Sequence, residues 1–83
     1  MNLELWEKAL SKKIQMKNWM KTKKIFTTAD IHRWGLDNYY ISAMREARRL
    51  REYGIIRRLT EEEKKIKGFK TKQGIYEYKF KED

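Results

Sequence analysis

From Leu36 to Leu59 the chain reads LDNYYISAMREARRLREYGIIRRL, an amphipathic helix stopped by a glycine and followed at once by branched residues. No other run constrains the fold as much. Tyr40, Ala43, Met44, Ala47 and Leu50 recur at helical spacing, so one stripe faces a core and arginines hold much of the rest. Asp37 or Asn38 can cap the start, and Gly54 can adopt the left-handed conformation that closes a helix. The pattern predicts a helix over residues 38–53. Ile55 to Leu59 then reads as a short strand, rich in residues that favour a pleated surface.

The segments on either side must supply the remainder of the core. Residues 3–20 predict a first helix, capped by Asn2 and built from good helix formers. Its apolar residues fall on two strips: Leu3, Trp6, Leu10 and Ile14 on one, Leu5, Ala9, Met16 and Met20 on the other, with Lys13 and Lys17 between. Two strips cover more of the helix than one small core needs, so the first helix either shows a broad core face with snorkelling lysines or also packs on a second subunit. Ile25 and Phe26 suggest a short strand. Thr27 with Asp30 fits a capping box opening a helix over residues 28–34, with Gly35 just past its end.

The tail admits two parses. Thr60 and Glu63 can cap a one-turn helix before Gly68, or the whole segment forms a long β-hairpin turning near Gln73 and Gly74. In either case Tyr76, Tyr78 and Phe80 alternate with Ile75, Glu77 and Lys79, which predicts a last strand paired with Ile55 to Leu59.

Length and charge bound the function. At 83 residues the chain is one domain near the lower limit for a self-sufficient core. It has no cysteine, which excludes disulfides and thiolate metal sites. No stretch approaches the ~20 apolar residues of a membrane span, and no signal-peptide core stands at the start, so a soluble cytoplasmic protein is expected. Twenty-one Lys and Arg against twelve Asp and Glu leave a net charge of +9, the balance of a protein that meets a polyanion.

The order of helix, short strand, short helix, longer helix and two-stranded hairpin resembles a winged helix-turn-helix domain. The resemblance is carried by FTTADI at the entry to the second helix and by ARRLREYGIIRRL at the end of the third. It implies an α+β fold of three helices followed by a β-hairpin wing over residues 55–81, and duplex DNA as the partner. The span from Gly35 to Gly54 is slightly longer than the common pattern, which implies a longer or bent turn between the two helices.

In such a domain the outward face of the third helix enters the major groove. A wheel over residues 38–53 puts Asn38, Ser42, Arg45 and Arg49 opposite the core, Arg48 on the flank and Arg51 over the apolar stripe. The resemblance then gives Arg45 or Arg49 a guanine, Asn38 an adenine, and Tyr39, Ser42 and Arg48 phosphate or sugar. Arg51 is assigned to packing or to a salt bridge with Glu52, Glu62 or a chain terminus. In the wing Lys64, Lys65, Lys67, Lys70 and Lys72 cluster around Gly68 and Gly74, with Lys67, Lys70 and Lys72 the residues for backbone phosphate. The acidic run Glu61 to Glu63 must face away.

Nothing in the chain suggests an enzyme, a cofactor or a metal. His32 has only Asp30 and Asp37 near it in sequence, a poor ligand set and a poor catalytic pair. With no second domain, no small-molecule ligand is expected. The expected function is a small sequence-specific transcriptional regulator, acting as a homodimer through the first helix. Two alternatives stand beside it: a protein-interaction module of the same fold, and an RNA or single-strand binder using Tyr76, Tyr78 and Phe80 as a stacking platform, where core packing is the competing role of those rings.

Overall fold

A computed structural model describes residues 3–80, with side chains described from Leu10 onward. The described chain is a small α+β domain of four helices and one three-stranded antiparallel sheet. In chain order these are α1 (Leu3–Lys23), β1 (Ile25–Thr27), α2 (Thr28–Asp37), α3 (Ala43–Glu52), β2 (Ile56–Arg58), α4 (Glu61–Ile66) and β3 (Ile75–Tyr78). Among the described residues no helix is long and apolar enough to cross a membrane.

The last strand organises the sheet. β3 lies between β1 and β2, pairing Phe26 with Tyr76 on one side and Ile56 with Tyr78 on the other. These four residues share one face, because side chains on a strand alternate. Against that face pack Met16 and Met20 of α1, Ile31 of α2, and Ala43, Ala47 and Leu50 of α3. The rings interlock: Trp19 stands 5.3 Å from Phe26 and 5.9 Å from Trp34, and Phe26 stacks at 6.3 Å on Tyr76. Tyr76 and Tyr78 therefore pack on the core rather than forming a free platform. Of the two apolar strips on α1, the core takes the one with Met16 and Met20, and leaves Leu10 and Ile14 about half exposed. Leu3, Leu5, Trp6 and Ala9 lie outside the described side chains. Lys17 reaches over the ring of Phe80 at 5.2 Å.

Both capping boxes form. Thr27 accepts from the Asp30 backbone and Asp30 from the Thr27 backbone, and Thr60 and Glu63 repeat the exchange at α4. The tail is thus the first of its two parses: β2 and β3 are joined by a fourth helix and a loop, not by a β-hairpin, and Ile66 to Thr71 form no strand. Glu63 is held from a second direction, because the Arg57 guanidinium grips it at 2.9 and 2.6 Å while its Nε donates to Glu77 at 3.1 Å. The Arg57 hydrogen bonds, then the Thr60 backbone N–H, hold the Glu63 carboxyl at about 2, down from an ordinary 4.5. A folded-state value below the unfolded one means that this network contributes fully above about pH 4.5 and is lost as pH falls toward 2. The unfolding midpoint should therefore fall through that window, and Glu63→Gln should flatten the acid limb in thermal melts from pH 7 to pH 2.

Two helix boundaries differ from the expected ones. α2 runs through Gly35 to Asp37, so Gly35 is interior and not a terminator. α3 begins at Ala43, not at residue 38, and residues 38–42 form the connecting turn. The cause is close approach. A Cβ on Gly35 would stand 2.8 Å from the Ala43 Cβ and 2.9 Å from the Tyr40 carbonyl, so α3 crosses α2 where both residues are minimal. The Tyr40 N–H donates to the Gly35 carbonyl at 2.7 Å, which bends the chain before α3 can start. The C-terminal end is as expected: Gly54 sits at φ 76 and turns the chain into β2.

Candidate nucleic-acid interface

The direction of each arginine follows from which face of α3 is buried. Ala43, Glu46, Ala47 and Leu50 face the core. At about 100° per residue the opposite face is centred on Arg45, Arg48 and Glu52, with Met44 and Arg51 on one flank and Arg49 on the other. Met44, expected in the stripe, is instead 39% exposed, and Glu46 takes an inward position.

Glu46 explains Arg49. The carboxylate is 5% exposed, and the Arg49 Nε closes on it at 3.0 Å while its guanidinium lies over the Tyr53 ring at 5.6 Å. A buried carboxylate needs such a partner, because burying an unpaired charge costs far more than the pair returns. Burial raises the nearby Tyr40 phenol above its ordinary value; Glu46 adds to this and Arg49 opposes it. Arg49 is thus tied to the fold, whereas Arg45, Arg48 and Arg51 are exposed and make no ion pair among the described residues. Arg51 does not pair with Glu52 or Glu62, and the chain termini lie outside the described residues. With Arg48 it lines a cavity of about 160 Å³ whose other walls are Ile31, Met44, Ala47 and Tyr76.

The turn places the remaining expected residues. Asn38 caps the end of α2, half-buried, with its Nδ2 donating to the Trp34 carbonyl at 2.9 Å. It does not stand on α3, and its amide is committed to backbone. Tyr39 is 92% exposed at a left-handed φ of 53, and Ser42 is the exposed N-cap of α3 without a side-chain capping bond.

The lysine loop after α4 is fastened to α4 and to the start of α2. Lys64, grouped with the other lysines by sequence, is 3% exposed and acts as a pin: its Nζ donates to Glu61 at 3.3 Å and to the Gln73 carbonyl at 3.2 Å. On the other side Gln73 accepts from the Ala29 N–H and Gly74 from the Thr28 N–H, fastening the loop to the start of α2. A Cβ on Gly74 would stand 3.0 Å from the Tyr76 hydroxyl, and Tyr76 walls the cavity of Arg48 and Arg51. Lys67, Lys70 and Lys72 are exposed around this pinned loop. Sequence reasoning missed Glu46, Gly35 and Lys64. The three-residue spacing of Glu46 and Arg49 was the available signal for the first, while nothing local marks a lysine as buried.

Fold and surface together define a small α+β domain with a basic helix and an exposed basic loop. No group of acidic residues and histidine able to hold a metal occurs among the described residues. No family model, curated protein or solved structure matches the chain.

Proposed function

We propose that this chain is a sequence-specific duplex DNA-binding protein of the winged-helix type, with α3 as recognition helix and the loop of Lys67, Lys70 and Lys72 as a backbone-contacting wing. The observation that carries the reading is the outward face of α3, where Arg45 and Arg48 stand exposed with no carboxylate committed to them. Unpaired guanidiniums on a helix narrow enough for a major groove suit bidentate contact with guanine, and the lysine loop suits phosphate. The net charge of +9 supports the same partner. Arg49, Asn38 and Lys64 have structural work, so base contact falls to Arg45 and Arg48, with Ser42 and Tyr39 at the entry to the helix.

A homodimer through α1 belongs to the proposal, since Leu10 and Ile14 leave an apolar strip outside the core. Selection of bound duplexes from a random pool tests both parts. An enriched consensus supports base reading, and a palindromic one supports the dimer, because half-site symmetry mirrors protein symmetry. No enrichment, with no duplex retained at low salt, would overturn the reading in favour of a protein or RNA partner.

A further inference from the structure

The turn between α2 and α3 carries an apolar shelf that the core does not use. Ile41 is fully exposed, Tyr39 is 92% exposed and Leu36 67% exposed. They rim a depression of about 330 Å³ with His32, Gly35, Tyr40, Ala43 and Met44. A left-handed φ is disfavoured for an aromatic residue, yet Tyr39 adopts one at 53 and turns its ring outward. Neither the sheet nor the helix crossing needs these side chains for packing.

The surroundings of the shelf say what it meets. Met44 lines both this depression and the cavity of Arg48 and Arg51, so the apolar and cationic surfaces are continuous. Arg45 follows Met44 on the outward face of α3, while Leu36 and His32 also line a neighbouring depression with Asp30, Arg33 and Asp37, so the acids border the shelf only on its α2 side. A second copy of the chain is a poor occupant, because a symmetric contact would bring the arginines of both copies together. The duplex major groove offers the complementary pattern: phosphates at its edges for the arginines, and the thymine 5-methyl as the apolar group on its floor.

We infer that the shelf reads thymine, with Ile41, flanked by Tyr39 and Met44, contacting 5-methyl groups next to the base pairs that the arginines meet. This rests on the duplex reading proposed above and extends it to a specificity determinant outside α3. Polar contacts alone would leave the shelf against water in the complex, while a methyl group buried on it accounts for its exposure in the free protein.

The test replaces thymine by deoxyuridine, position by position, in the duplex enriched by selection. At the positions facing the shelf each lost methyl should weaken binding roughly fourfold, the value of one buried carbon group. In Ile41→Ala the thymine duplex should bind about as weakly as the uracil duplex binds the original protein, and the same replacement should have no further effect. The unfolding midpoint should persist, since Ile41 is fully exposed and its truncation opens no cavity. Equal binding of thymine and uracil duplexes by the original protein, or a consensus without A·T pairs, overturns the inference and leaves the duplex reading intact. Equal sensitivity to uracil in Ile41→Ala also overturns it. Failure to bind any duplex overturns both.

Discussion

Valine in place of Gly35 is expected to lower the thermal unfolding midpoint by about 10 °C, and alanine by less. Two effects of opposite sign compete at this position. Gly35 lies inside α2, where a glycine costs roughly 0.5–1 kcal/mol relative to alanine, so any side chain there gains helix propensity. Against that, the new Cβ would meet the Ala43 Cβ at 2.8 Å and the Tyr40 carbonyl at 2.9 Å. Neither neighbour is the loose end of a long side chain. The carbonyl belongs to a turn held by the 2.7 Å bond from the Tyr40 N–H to Gly35 itself, so it can retreat only by moving the start of α3. Overpacking of this kind costs typically 1–3 kcal/mol, and in a domain of this size each kcal/mol is worth roughly 4–8 °C. The clash therefore outweighs the propensity gain for the branched residue. Circular dichroism melts decide the matter, and an unchanged midpoint for Gly35→Val would mean that the crossing has slack the geometry does not show. A displaced α3 would also shift the turn that presents Tyr39 and Ile41, so residual duplex affinity should fall along with stability.

The same crossing marks the limit of what the sequence made legible. Both capping boxes and the glycine end of α3 depend on residues within one turn, and the two paired strands β2 and β3 each carry their own pattern, so cap chemistry and periodicity suffice for them. The start of α3 does not. Asp37 and Asn38 are good caps by local preference, yet the approach of Ala43 to Gly35 places a turn where that preference would allow helix. Asn38 then spends its amide on the α2 carboxyl end. Phase was the second loss. A wheel centred on Tyr40 puts Met44 inside and Arg49 outside, whereas the buried set Ala43, Glu46, Ala47 and Leu50 rotates the face so that Arg48 points outward and Arg49 serves Glu46. An apolar methionine and a charged glutamate would be assigned the other way by hydropathy alone. The local partner Arg49, three residues on, and the tertiary approach of the turn together make the exchange favourable. The fate of Lys64 is nonlocal in the same sense, since the carbonyl it holds belongs to a loop residue, Gln73, across the connection to β3.

Removing Arg45 and Arg48 together should weaken duplex binding on the order of 100-fold while leaving the unfolding midpoint within about 4 °C. Each is exposed, points away from the core and has no ion-pair partner among the described residues, so truncation strips no buried group of its neighbour. Surface changes of that kind usually stay within ±0.5 kcal/mol of stability, whereas a good bidentate base contact contributes roughly 1–3 kcal/mol to discrimination. Arg49→Ala is the internal contrast. It would leave the Glu46 carboxylate, 5% exposed, without its 3.0 Å partner, so its loss should appear first in the melt and only secondarily in binding. Measuring both quantities for both variants separates contact from scaffold. Salt then separates base from backbone: a phosphate contact carries a slope of about 0.9 in log affinity against log salt, and a base contact carries sequence preference. If Arg45→Ala/Arg48→Ala loses affinity equally for all duplexes with a slope reduced by about two, the arginines hold phosphate and base reading belongs to the turn residues. If the variant binds its consensus as tightly as the original protein, the outward face of α3 is not the interface, and the proposed orientation on DNA fails whatever the fold.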